Sequence, residues 1–156
     1  MLRLTRATTA IALLTVAAAC SRPDSATTDS PAATPGATGT TPSAAGAPDV
    51  KPTGKVIVVE LITDEKGNYF KPANFEVHRG DVIRYTLTSG VHNVHFLADS
   101  NPGKKWLPPV SDFLQLPGQT YDLLVAMEPG KYYYQCDPHA LLGMVGRIEV
   151  EDEDND

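Results

Sequence analysis

The chain has 156 residues, 13 Lys and Arg against 19 Asp and Glu, a formal net charge of −6, and 42% hydrophobic residues. That length holds one ordinary domain, and a mildly acidic chain without a basic cluster carries no nucleic-acid footprint. Two cysteines are too few for a disulfide scaffold, and no stretch has a sustained helical period.

In chain order, Arg3 and Arg6 followed by the apolar run from Ala7 to Ala19 read as an export signal over residues 1–19, too short to span a bilayer. Ala17-Ala18-Ala19 leads directly into Cys20, which resembles a bacterial lipobox with Ala17 where such boxes usually carry Leu. The resemblance implies lipidation of Cys20 and an exported, membrane-tethered chain on the periplasmic or cell-surface side. Plain cleavage after Ala19 is the alternative. Residues 20–53 are Ala, Thr, Pro, Gly and Ser with prolines from Pro23 to Pro52, a composition that cannot bury enough surface to offset its ordering entropy. They are expected to form a disordered linker.

From Gly54 to Val150 the texture changes to short β-rich runs separated by turn signals, so the fold class expected is an all-β sandwich of about seven or eight strands. Val56–Ile62 is the first run, followed by a turn at Asp64–Asn68. Phe75 and Val77 lead into the turn Arg79-Gly80-Asp81, and Val82–Leu87 and Val91–Leu97 follow. A long connection around Trp106 precedes runs at Phe113–Leu116, Tyr121–Met127, Lys131–Cys136 and Val145–Val150. Residues 151–156, Glu-Asp-Glu-Asp-Asn-Asp, read as a solvated acidic tail.

The chemistry is concentrated in Cys136-Asp137-Pro138-His139 and Met144, together with His92 on an earlier run. One thiolate, two imidazoles and a thioether are the ligand set of a mononuclear electron-transfer copper site, with soft sulfur and borderline nitrogen suiting both Cu(I) and Cu(II). Met is a poor zinc ligand, and a single Cys in this region excludes haem attachment through a cysteine pair. Strand parity selects among the histidines. If Val94 and Phe96 are core, His92 shares their face while His95 points outward, and by the same parity Phe75 and Val77 leave His78 outside.

These residues carry a family resemblance. Gly90-Val91-His92-Asn93-Val94 with Cys136-Asp137-Pro138-His139, four further residues, then Met144-Val145-Gly146 resembles plastocyanin and its relatives among the cupredoxins. Phe70-Lys-Pro-Ala-Asn-Phe75-Glu-Val-His-Arg-Gly80-Asp81 is similar to the family's early strand and Gly-Asp turn, so the likeness spans 54–150. It implies a Greek-key β-sandwich, one copper ion held by His92, Cys136 and His139 in a near-trigonal plane, and Met144 as a weak axial ligand. It also implies that Asn93 ties the ligand loops together and donates a backbone N–H towards the Cys136 sulfur. The expected function is a monomeric blue-copper electron carrier with transient redox partner proteins, rather than an enzyme, with copper delivery to a partner as the alternative.

Two positions depart from the family pattern. Gln135 stands where plastocyanins carry a Tyr before the ligand Cys, and Lys104-Lys105 lies where photosynthetic plastocyanins tend to be acidic. The resemblance therefore points to electron exchange through His139, with Pro138, Leu141 and Leu142 as an apolar contact rim, and away from photosynthetic docking.

Overall fold

The computed structural model describes residues 46–152. Seven strands form: β1 (Val56–Asp64), β2 (Gly67–Lys71), β3 (Asn74–His78), β4 (Val82–Leu87), β5 (Thr120–Leu124), β6 (Gly130–Gln135) and β7 (Val145–Glu151). One sheet runs β2-β1-β4-β5 and the other β3-β7-β6. The neighbours β1 and β4, and β3 and β7, are parallel, so successive segments must cross between the sheets. The all-β sandwich expected from the sequence is the fold observed.

The sheets close on each other because each strand alternates. In β1, Val59 and Leu61 are buried while Val58 is half exposed; in β4, Ile83, Tyr85 and Leu87 turn inward and Arg84 outward. Tyr132 and Tyr134 of β6 are buried with Tyr133 on the other face, as alternation requires. Tyr134 joins the layers, stacking on Phe96 at 5.4 Å and meeting Tyr85 edge-on at 5.9 Å between ring centroids. Its hydroxyl donates to the Ala73 carbonyl (3.0 Å), which satisfies the polar end of a buried ring.

Three expectations about strands need correction. The residues Asp64–Asn68, expected as a turn, are half strand: the loop is only Glu65-Lys66, with Asp64 paired to Gly67. Asp64 Oδ1 accepts the Lys66 amide (2.8 Å), a side-chain turn that shortens the connection and starts β2 early. Val91–Leu97 makes only isolated bridges, His92 to Leu114 and His95 to Gln135, and Phe113–Leu116 contributes only the first of these. The long connection before Phe113 is pinned by Asn101. Its side chain donates to the carbonyls of Leu97 and Tyr133 and accepts the Tyr133 amide (2.7–2.9 Å), supplying β6 with part of the partner a further strand would give.

The ends of the sandwich differ in content. Thr53 ties the incoming chain to one end: its amide donates to Gly80 O (2.9 Å) and its hydroxyl donates to the buried Asp81 (2.5 Å). The Arg79 amide donates to Glu151 O (3.0 Å), so the chain joins and leaves the sandwich beside the same Gly80 turn. The other end of β1 carries Thr63, next to His92. Cys20, the export signal, nearly all of the expected linker and residues 153–156 lie outside the described residues. Among the described residues no helix is long and apolar enough to cross a membrane.

Candidate metal centre

Three of the four singled-out side chains converge at the Thr63 end of the sandwich. His92 Nδ1 lies 3.1 Å from His139 Nδ1 and 3.5 Å from Cys136 Sγ, and His139 Nδ1 lies 3.4 Å from that sulfur. His92 and Cys136 are fully buried, and His139 is partly exposed. Met144 is also fully buried; its carbonyl accepts the Cys136 amide and its own amide donates to His139 O, both at 3.1 Å.

Local structure explains the convergence. Cys136 directly follows β6, and a 3₁₀ helix over Asp137–Leu142 then turns the chain tightly enough to bring His139 back over it. Pro138 fits the first turn, where no amide proton is needed, and Gly143 terminates the helix in the left-handed conformation (φ 92°). On the opposite segment, the backbone amides of 92–95 leave the sheet pattern one by one. They go in turn to Leu114 O (3.1 Å), Cys136 Sγ, Ser111 Oγ (2.9 Å) and Gln135 O (2.9 Å). This side-chain substitution is why the run reads as a strand and folds as a bridge-bearing loop. It keeps His92, Val94 and Phe96 inward as parity requires, but Asn93 is buried as well.

The tautomer of His92 follows from its partners. Nε2 faces Ser89 O (3.0 Å) and Thr63 Oγ1 (3.1 Å), and the Thr63 proton is committed to Asn68 Oδ1 (2.6 Å). Both partners therefore accept, so Nε2 carries the hydrogen. In the neutral ring Nδ1 is then a lone pair aimed at Cys136 and His139. Burial first, and His139 second, push the His92 pKa below its ordinary value and favour that neutral ring. Gly90 makes room for the arrangement: at φ 90°, a Cβ there would meet Thr63 Oγ1 and come within 2.7 Å of His92 Nε2.

The donor set fits a metal. A point about 2 Å from all three donor atoms exists at the centre of their triangle, close to ordinary metal–imidazole and metal–thiolate bond lengths (~2.0–2.3 Å). A proton can bridge only one pair of these atoms, whereas a cation is met by all three lone pairs. Without a cation, burial pushes the Cys136 thiol up, opposed by the amides of Asn93 and His139. A coordinated cation reverses that balance and deprotonates the sulfur.

Around this cluster Asn93 ties the two segments together. Its side chain donates to Asp137 Oδ2 (2.9 Å) and accepts the Asp137 amide (2.8 Å), while its own amide faces the Cys136 sulfur. Sequence reasoning missed the Ser89 carbonyl, three positions before His92, which any residue type could supply, and the support from Thr63 and Asp137, whose pairings span 29 and 44 positions. It also placed His95 and His78 in solvent. Both are only partly exposed and paired: His95 Nδ1 lies 3.0 Å from Asp137, and His78 Nε2 lies 3.3 Å from Glu151. Gln135 bonds Tyr133 and Asp137, so the place of the expected Tyr is taken by a hydrogen-bonding side chain.

His139 also lines a surface depression of about 530 Å³ with Val91, Phe113, Gln115 and Pro138. Exposed apolar side chains surround this end, including Val91 (46%), Phe113 (49%), Leu142 (69%) and Leu141 (101%).

Comparison with known proteins agrees with this geometry. Residues 57–151 match the family model described as copper binding proteins, plastocyanin/azurin family. The chain is 37% identical over 99 residues to plastocyanin of Solanum crispum, covering 60% of this chain and 99% of that one. It is 36% identical over 99 residues to plastocyanin A'/A'' of Nicotiana tabacum, with the same coverage of 60% and 99%. Among solved structures, a mutant plastocyanin of fern, determined oxidised and reduced, superposes with a TM-score of 0.50 at 29% identity, covering 61% of this chain and all of that one. Sandwich, Cys-His-His cluster and matches over the same residues agree: the chain belongs to the plastocyanin/azurin family of copper binding proteins, a plastocyanin-like cupredoxin whose cofactor is copper.

Proposed function

We propose that the chain is an extracytoplasmic one-electron carrier in which His92, Cys136 and His139 would hold a single copper ion and Met144 would be its fourth, weaker ligand. The observation that carries this reading is the triangle of two imidazole nitrogens and one sulfur, with the His92 lone pair fixed towards it by Ser89 and Thr63. Bound copper supplies a one-electron couple. The protein's part is to keep the donors in one arrangement for both oxidation states, through burial, the short 3₁₀ helix and the Asn93–Asp137 clamp. Four protein donors leave no open position for a substrate, which is the reason to read a carrier rather than an enzyme.

His139 is the exit for the electron. It belongs both to the donor cluster and to the depression at the surface, so its ring connects the site with a docked partner. The apolar rim of Val91, Phe113, Pro138, Leu141 and Leu142 suits brief encounters, since small apolar contacts release quickly. In this reading residues 1–19 direct export, Cys20 carries a lipid, and residues 20–53 tether a monomeric copper domain over 54–150 that is followed by an acidic tail. Joining the sandwich at the Gly80 end, such a tether leaves His139 facing partners.

Voltammetry and copper retention test the role. A carrier gives a reversible one-electron wave and keeps its copper through many turnovers against a chelator. Rapid surrender of copper to the chelator, with no reversible wave, would contradict the carrier and favour copper delivery.

A further inference from the structure

We propose that His95 is a positioning residue for the metal loop, acting through Asp137. The inference rests on the reading of His92, Cys136 and His139 as copper ligands.

The two segments that bring those ligands together share no continuous ladder; between them run the His95–Gln135 bridge, the Asn93 amide directed at sulfur and the Asp137 amide donated to Asn93 Oδ1. Their relative placement therefore depends on side chains, and the Asp137 carboxylate is where these meet. It accepts from Asn93 Nδ2 (2.9 Å), Gln135 Nε2 (3.0 Å) and His95 Nδ1, which is 3.0 Å from both oxygens. A carboxylate only accepts here, so His95 Nδ1 carries the hydrogen. His95 is also paired through its backbone in both directions with Gln135, at 2.9 and 3.0 Å. It thus grips the end of β6 with its main chain and the residue after Cys136 with its ring.

The consequence reaches the sulfur in two steps. Asp137 fixes the Asn93 side chain by a reciprocal pair of bonds, and the Asn93 amide is one of the two that face Cys136 Sγ. If His95 lets go, Asp137 and Asn93 gain freedom and the N–H to sulfur weakens. A thiolate with a weaker hydrogen bond is more electron-rich, which favours the oxidised metal and loosens the set of the site. The His95 and Asp137 side chains are 33% and 39% exposed, so the contact contributes little to holding the sandwich itself.

The test compares full-length wild type with His95→Val, which removes the donor, and His95→Asn, whose amide nitrogen can occupy the Nδ1 position. In the metal-free chain, His95→Val should speed hydrogen exchange at the Asp137 amide about tenfold, with amides of β1 and β4 unchanged. With copper, it should release metal to a chelator about tenfold faster, the lower end of the range for groups that orient metal ligands, and shift the reduction potential downward. His95→Asn should restore all three. Wild-type exchange at Asp137 in the Val variant overturns the proposal whatever the copper does, as does a loss of protection spread evenly over the sandwich. A response at Asp137 in a chain that gives no thiolate-to-copper absorption supports the positioning and overturns the copper assignment instead.

Discussion

At the scale of single residues, the site separates groups that hold a metal from groups that hold those groups. Ser89 and Thr63 decide which nitrogen of His92 is free, and Asn93 decides what else the Cys136 sulfur sees. Met144 is different, since its main chain is fixed to Cys136 and His139 while its thioether is expected to donate only weakly. Met144→Leu keeps the volume and removes the sulfur. The oxidised ion loses more from this than the reduced one, so the reduction potential should rise while the absorption remains; an unchanged or lowered potential in voltammetry would remove Met144 from the ligand set. The four ligand candidates were legible in the sequence because Cys136, His139 and Met144 occupy one short loop and parity singles out His92. Thr63 and Asp137 were not, because hydroxyl and carboxylate side chains acquire these roles only through contacts fixed by the fold.

At the scale of elements, the runs that became strands are those whose alternation serves both a ladder and a core, such as Val56–Asp64 and Val145–Glu151. The run 91–97 has the same alternation and is not a strand, because its amides are spent on sulfur, a serine hydroxyl and two bridges. β2 was missed for the converse reason: Gly67 and Asn68 carry turn character in sequence, yet the two-residue loop places both in the ladder. Gly90 connects such an element to the site. Gly90→Ala imposes a left-handed conformation that costs about 1–2 kcal/mol and forces Thr63 and His92 apart. Thermal unfolding of the metal-free variant should show that loss, together with weaker copper retention. A variant as stable as wild type, with normal retention, would mean that the bond between Thr63 and His92 does not need this backbone.

At the scale of the whole molecule, the sandwich gives its two ends different duties. Thr53, Gly80 and Glu151 gather at one end, and β7 runs about 20 Å from its first residue, next to Met144, towards them. The exposed apolar surface around His139 lies at the other end. Stability against acid also belongs to the whole fold. Burial opposes the charge of Asp137, but hydrogen bonds from Gln135, Asn93 and His95 outweigh it and hold the carboxyl below its usual range. Asp64 is held low in the same direction, first by the Tyr69 hydroxyl and then by the Lys66 amide. Groups with depressed values stabilise the folded state above the unfolded aspartate value of about 3.9. They lose that contribution as pH falls through the lower folded values. The metal-free chain should therefore lose thermal stability below about pH 4, and Asp137→Asn should flatten that decline; an identical acid limb in the variant would argue against the hydrogen-bonded carboxylate.

The electronic spectrum and EPR of the copper-loaded full chain, beside those of Cys136→Ser, test the copper assignment most directly. A sulfur-to-copper site gives an intense visible band, on the order of 600 nm for a thiolate with two imidazoles, and a narrow copper hyperfine splitting, and both vanish when the sulfur becomes oxygen. A colourless copper adduct in the wild type, or a band that survives Cys136→Ser, would contradict it.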